Sequence, residues 1–118
     1  MKTITTLTIL LAFSAPLTSA ANSLINQMLH APSPYLQQHA KDKVHWQAWS
    51  SESLTLAKTQ GKPILLSIGY FACHWCHVMQ QESYQNPAVA ERLNQHYIPI
   101  KVDRELEPGL DQAMLNYA

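Results

Sequence analysis

The chain has 118 residues, 47% of them hydrophobic and 14% charged, and its eight basic and eight acidic side chains balance to a formal net charge of zero. That size accommodates one domain at most; no Lys/Arg cluster marks a nucleic-acid footprint, and two cysteines close only one intramolecular bridge, which rules out a multiply stapled scaffold. Between Lys2 and Lys41 lie 38 residues without a formal charge, so the low average conceals two unlike segments.

The first segment has the layout of a secretory signal peptide. Lys2 supplies the positive start, residues 4–13 form a ten-residue apolar run, and Pro16 precedes the small residues Thr18-Ser19-Ala20-Ala21. Cleavage after Ala20 is expected, with Ala21 the next choice. A membrane anchor fits less well, because about 10 apolar residues fall short of the roughly 20 that span a bilayer. Cleavage leaves 98 residues with seven basic and eight acidic groups, in an exported compartment, periplasmic or extracellular, that is oxidising.

Residues 21–49 read as a polar N-terminal extension. It holds Pro32, Pro34 and three histidines, and it ends in Val44-His45-Trp46-Gln47-Ala48-Trp49, a short strand or an irregular segment packing its tryptophans. Ser50 or Ser51 then caps a helix with Glu52 in its first turn and Lys58 in its last, and Gly61 stops it. Ile64-Leu65-Leu66-Ser67-Ile68 is a nearly continuous apolar run, the pattern of a strand covered on both faces. Residues 76–85 suit a helix; Asn86-Pro87 interrupts it and starts another, as N-cap and first helical residue. Strand character returns over residues 97–102. Two strands joined through helices imply a parallel crossover, hence an α/β fold. The residues after it, Asp103-Arg104-Glu105 and Glu107, are expected in a solvated turn.

The chemistry lies in Cys73-His74-Trp75-Cys76-His77. Two cysteines separated by two residues, where a buried strand meets a helix, form a dithiol whose first sulfur sits at the helix start, where free N–H groups favour a thiolate. Cys73 is then the nucleophile, and Cys76, one turn in, resolves the mixed disulfide. His74, when protonated, adds positive charge beside Cys73; His77, one turn on, can tune it or simply face solvent; Trp75 presents an aromatic surface to a partner. Three other readings stay open: a static structural disulfide, c-type haem attachment at Cys-x-x-Cys-His, and zinc on Cys73, Cys76 and His77, which lacks a fourth ligand with suitable spacing.

Several blocks together carry a resemblance. They are Ser33-Pro34-Tyr35-Leu36-Gln37-Gln38-His39-Ala40, Trp46 and Trp49, Lys62-Pro63-Ile64-Leu65-Leu66-Ser67-Ile68-Gly69-Tyr70, Cys73-His74-Trp75-Cys76-His77-Val78-Met79, Glu82-Ser83 and Ile100-Lys101-Val102-Asp103-Arg104-Glu105. In this order they resemble the thioredoxin-like N-terminal domain of the spermatogenesis-associated protein 20 family, from about Ser23 to Met114. The resemblance implies a thioredoxin fold with a redox pair at Cys73 and Cys76. It implies no cofactor, and its partners are cysteine-containing protein substrates, with neither nucleic acid nor, after signal cleavage, a membrane among them.

Departures from the pattern set further expectations. Residues 50–118 are expected to form a partial thioredoxin-like domain, incomplete because the cis-proline loop, final hairpin and last helix of such folds have no counterpart before Ala118. An uncovered strand edge before Cys73 then invites self-association. A truncated member serving only as a binding or assembly module is the alternative function. Thioredoxins usually carry a buried Asp six residues before the first cysteine; Ser67 stands there, leaving Glu82, His77 or water to move the proton of Cys76. Pro99, inside the second strand, suits an edge.

Overall fold

The computed structural model describes residues 24–118, and the expected leader, residues 1–20, lies outside them. A 3-10 turn at Met28–His30, helix α1 (Pro34–Gln38) and a second 3-10 turn at His39–Lys41 open the described chain. Ser33 caps α1 by accepting the Leu36 N–H, with Pro34 at the first helical position. Helix α2 (Ser51–Gln60) starts as its sequence predicts. The Ser50 hydroxyl accepts the Ser53 N–H while the Ser53 side chain returns to the Ser50 backbone, and Gly61 ends the helix at φ +61, a conformation that costs glycine nothing.

Strands β1 (Ile64–Gly69) and β2 (Ile98–Asp103) pair in parallel, from Ile64 opposite Ile98 to Gly69 opposite Asp103. Between them run α3 (His74–Met79), a wider π turn over Gln80–Tyr84 and α4 (Pro87–His96). The helix begins two residues earlier than the sequence suggests, because Cys73 itself serves as its N-cap. Asn86 caps α4 by accepting the Ala88 and Val89 N–H groups, and Pro87 follows at its first position. After β2, helix α5 (Pro108–Tyr117) closes the described chain.

Alternation along the strands sorts two cores onto opposite faces. Ile98, Ile100 and Val102 of β2, with Leu66 and Ile68 of β1, pack with Ala57 and Leu56 of α2. The other face receives Leu65 and Cys76 against Tyr35, Leu36, Val44, Trp46, Tyr84 and Ala90. Residues before α2 therefore contribute much of this second core, and Gln47 bonds β2 directly: its N–H donates to Pro99 O at 2.8 Å and its carbonyl accepts the Lys101 N–H at 3.1 Å. Pro99 is tolerated because Ile98 N–H already reaches Pro63 O on the β1 side, so the donor Pro99 lacks would point toward Gln47.

All six residues of β2 are buried; β1 packs on both faces but is largely half-buried, with Ile64 37% exposed, because among the described residues it pairs with β2 alone and its other edge is uncovered. One expectation is corrected here. Asp103 does not lie in a solvated turn: it is buried as the last residue of β2, and its carboxylate accepts the Glu105 N–H at 2.9 Å.

Candidate functional site

The cysteine pair sits where β1 delivers the chain to α3. Cys73 and Cys76 are joined as a disulfide with their Cα atoms 5.3 Å apart. Cys73 Sγ accepts the Cys76 N–H at 3.2 Å, so the first sulfur occupies the N-cap position of α3. Both cysteines are half-buried. The loop before them is braced from two sides. Arg104 N–H donates to Gly69 O at 2.9 Å while its guanidinium lies 4.9 Å from the Tyr70 ring centre, and His77 Nε2 meets Phe71 O at 2.7 Å.

Each flanking residue now has a location. Trp75 is 75% exposed, with the His74 ring edge-on to it at 5.1 Å, so both face outward beside the disulfide. His77 is engaged by the Phe71 carbonyl and acts as a clamp on the cysteine loop. Glu82 is exposed on the π turn, away from the interior where Cys76 would pass a proton.

Behind Cys76 lies a buried polar cluster that the sequence alone does not announce. Asp42 is its acceptor. Oδ1 takes Gln80 Nε2 at 2.8 Å, and Oδ2 takes Trp46 Nε1 at 2.9 Å and His39 Nδ1 at 2.6 Å. Burial pushes the His39 pKa below its ordinary value despite the Asp42 hydrogen bond, which fixes a neutral ring donating from Nδ1. Lys101 is the cation of the cluster. It is 2% exposed, its Nζ donates to Ser67 Oγ at 2.8 Å, and the ring centres of Tyr35, Trp46 and Tyr84 lie 5.3, 5.3 and 5.1 Å from it. Burial lowers its pKa to about 8, with Asp42 pulling the other way. The rings offer their negative faces to the ammonium, which is how hydrocarbon-rich surroundings hold a charge.

Ser67 joins the two parts of the site. It stands opposite Lys101 in the strand register and also accepts the Tyr84 hydroxyl at 3.0 Å. A groove of about 430 Å³ runs along β1 and is lined by Cys76, Trp75, Met79, Ser67, Tyr84 and Lys101. The second cysteine, an exposed aromatic surface and a buried cation thus share one cavity. In the sequence Lys101 carried no signal of this: in Ile98-Pro99-Ile100-Lys101-Val102-Asp103 alternation sets it on the face opposite the three apolar residues, the one a half-buried strand turns to solvent. Asp42 and Gln80 carried none either, and Tyr35 stood only within a block of the resemblance.

The chain has relatives among known proteins. The family model Thioredox_DsbH, described as a protein of unknown function, DUF255, matches residues 25–118. Human spermatogenesis-associated protein 20 is 42% identical over 92 residues, 78% of this chain and 12% of its own length. The mouse protein of the same name is 43% identical over 93 residues, 79% of this chain and 12% of its own. An uncharacterised protein of Caenorhabditis elegans is 46% identical over 92 residues, 78% of this chain and 13% of its own. The chain therefore spans about an eighth of the length of the curated relatives it matches.

Proposed function

The chain belongs to the Thioredox_DsbH (DUF255) family and has its thioredoxin-like α/β fold, and from that premise we propose that it exchanges electrons with cysteines of other proteins through Cys73 and Cys76. The observation that carries this reading is the placement of the pair: a disulfide at a strand-to-helix junction, its first sulfur capping the helix and its second facing a groove with a buried cation.

In the oxidising direction a substrate thiolate attacks Cys73 Sγ. The Cys73–Cys76 bond breaks, a mixed disulfide forms on Cys73, and Cys76 leaves as a thiolate. A second substrate thiolate then attacks the substrate sulfur of that mixed disulfide. Two electrons and two protons pass to the cysteine pair, and the substrate leaves as a disulfide. The reverse reaction reduces a substrate disulfide, with Cys73 attacking and Cys76 resolving. Helix N–H groups favour the thiolate at Cys73. The Lys101 ammonium favours it at Cys76, and with a pKa of about 8 it can give or take a proton near neutral pH. Trp75 and Met79, exposed on one side of α3, offer apolar contact to the chain carrying the substrate cysteine.

The test is a redox titration with thiol trapping. Wild type should show one reversible two-electron step, and Cys73→Ser should abolish it; a pair that stays oxidised across the whole dithiothreitol range overturns the reading and leaves a structural disulfide serving a binding module. Export is part of the same proposal, supported by the Lys2, apolar and Thr18-Ser19-Ala20 pattern. Amino-terminal sequencing of the expressed protein should begin at Ala21 or Asn22, and an intact Met1 overturns it.

A further inference from the structure

Tyr35 poses a question that the cysteine chemistry answers. Its side chain is 1% exposed, and among the described residues its hydroxyl is the one buried side-chain polar atom without a hydrogen-bond partner. Its neighbours are all satisfied: Asp42 has three donors, and Lys101 and Tyr84 both bond Ser67. A buried hydroxyl left alone costs about 1–3 kcal/mol, so a fold that keeps one does so against a pressure to fill or remove it.

The hydroxyl's position supplies the reason. A Cβ at Gly69 would overlap the Tyr35 hydroxyl and lie 2.8 Å from Cys76 Sγ. Both atoms converge on the space left by the side chain that Gly69 lacks, each within 3.0 Å of a single point. In the disulfide, Cys76 sulfur is a weak acceptor. Once the disulfide opens, the same sulfur becomes a thiolate, an acceptor of charge-assisted strength.

We infer that the Tyr35 hydroxyl is the hydrogen-bond donor that receives the Cys76 sulfur when the disulfide opens, so that Tyr35 stabilises the dithiol form and sets the redox balance of the pair. This rests on the thiol–disulfide reading above and deepens it. In the step already written, the thiolate expelled from the Cys73–Cys76 bond meets the Tyr35 O–H, and the orphan hydroxyl gains its partner at that moment. Burial, with Tyr84, Asp103 and Asp42 nearby, pushes the Tyr35 pKa upward, so the group stays a donor. Lys101 lies over the Tyr35 ring at 5.3 Å and His39 stands edge-on to it at 5.1 Å, completing the titratable groups around the hydroxyl. Tyr35 is a positioning residue here; Cys73 and Cys76 remain the reacting atoms.

Tyr35→Phe removes the hydroxyl and keeps the ring. In the full chain, titrated against dithiothreitol, the variant pair should be harder to reduce, with an equilibrium constant shifted about tenfold toward the disulfide, equivalent to about 30 mV for a two-electron couple. Urea unfolding of both redox states supplies the control for packing. The oxidised variant should be at least as stable as oxidised wild type, and only the reduced variant should lose stability. An unchanged equilibrium constant, or equal destabilisation in both redox states, overturns the inference while leaving the exchange reading intact. A wild-type chain with no two-electron step instead overturns that reading. Should Tyr35→Phe not fold, wild type labelled with 13C at tyrosine Cζ settles the point: the Tyr35 signal should move on reduction, and a signal indifferent to redox state overturns the proposal.

Discussion

The two faces of the β1–β2 sheet solve opposite problems. Toward α2, Ile98, Ile100, Val102 and Ala57 are buried side chains with no polar side-chain atom to satisfy. Toward Tyr84 and Trp46, β2 buries Lys101, bonded to the half-buried Ser67 of β1, on the face that holds Asp42 and His39. The hydrocarbon face stabilises through burial at about 25 cal/mol per Å² and asks only for fit. Its counterpart needs partners for its donors and acceptors, and a buried charge costs free energy that well-packed apolar residues do not. Charge retained at such a cost points to chemistry, and it is this face that meets Cys76.

That contrast can be tested by breaking each face in turn. Asp42→Ala should have the largest effect, a loss of about 3–5 kcal/mol in urea unfolding, because it strands the donors of His39, Trp46 and Gln80 beside an uncompensated lysine. On the opposite face, Ile100→Ala should cost about 2–5 kcal/mol through cavity formation and leave the redox equilibrium unchanged. If it shifts the cysteine equilibrium as much as changes beside Cys76 do, the division of labour between faces is wrong.

A pH series sharpens the comparison further. Lys101 has a pKa of about 8 in the folded chain and 10.5 when free, so between those values the unfolded chain binds more protons than the native one. Stability should therefore rise with pH above 8, by on the order of 3 kcal/mol across the full window. Above pH 10 the buried hydroxyls of Tyr35 and Tyr84, whose pKa values are raised, act in the opposite sense. Lys101→Met should erase the rise, and its stability at pH 7 should equal or exceed wild type while thiol exchange slows. His39 acts in the same sense as Lys101, at lower pH: its lowered pKa makes the unfolded chain take up a proton first, so stability falls as pH drops through the ordinary histidine range. The smallest effect belongs to the helix on the apolar face. Ser50→Ala should cost about 1 kcal/mol by removing the cap of α2, with no redox consequence.

Local signals made most of this fold legible in sequence. Ser50 and Gly61 bracket α2, Asn86-Pro87 starts α4, and the apolar runs mark β1 and β2, because each depends on residues within one turn or one strand. The cysteine pair was legible for the same reason. The cluster behind it was not. Asp42, Gln80 and Lys101 meet only after the crossover folds, and nothing in composition or period tells a solvated Lys101 from one enclosed by three rings. Pattern did not rank the two strands either, because burial depends on neighbours: β1 packs on both faces as its apolar run reads, yet it is β2, interrupted by Pro99 and Lys101, that lies wholly inside.

Gln47 carries one more consequence. Its two backbone hydrogen bonds occupy the outer side of β2, while among the described residues β1 has no strand on its own outer side. A sheet open at both edges can add copies without limit and grow into a fibre; a sheet with one side occupied can add a strand on the other side only. Two chains meeting β1 to β1 about a two-fold axis would use up the open side of each. Of the two strand edges, Gln47 thus takes up part of the one on β2 and leaves the one on β1, among the described residues, as the edge with backbone groups still to offer.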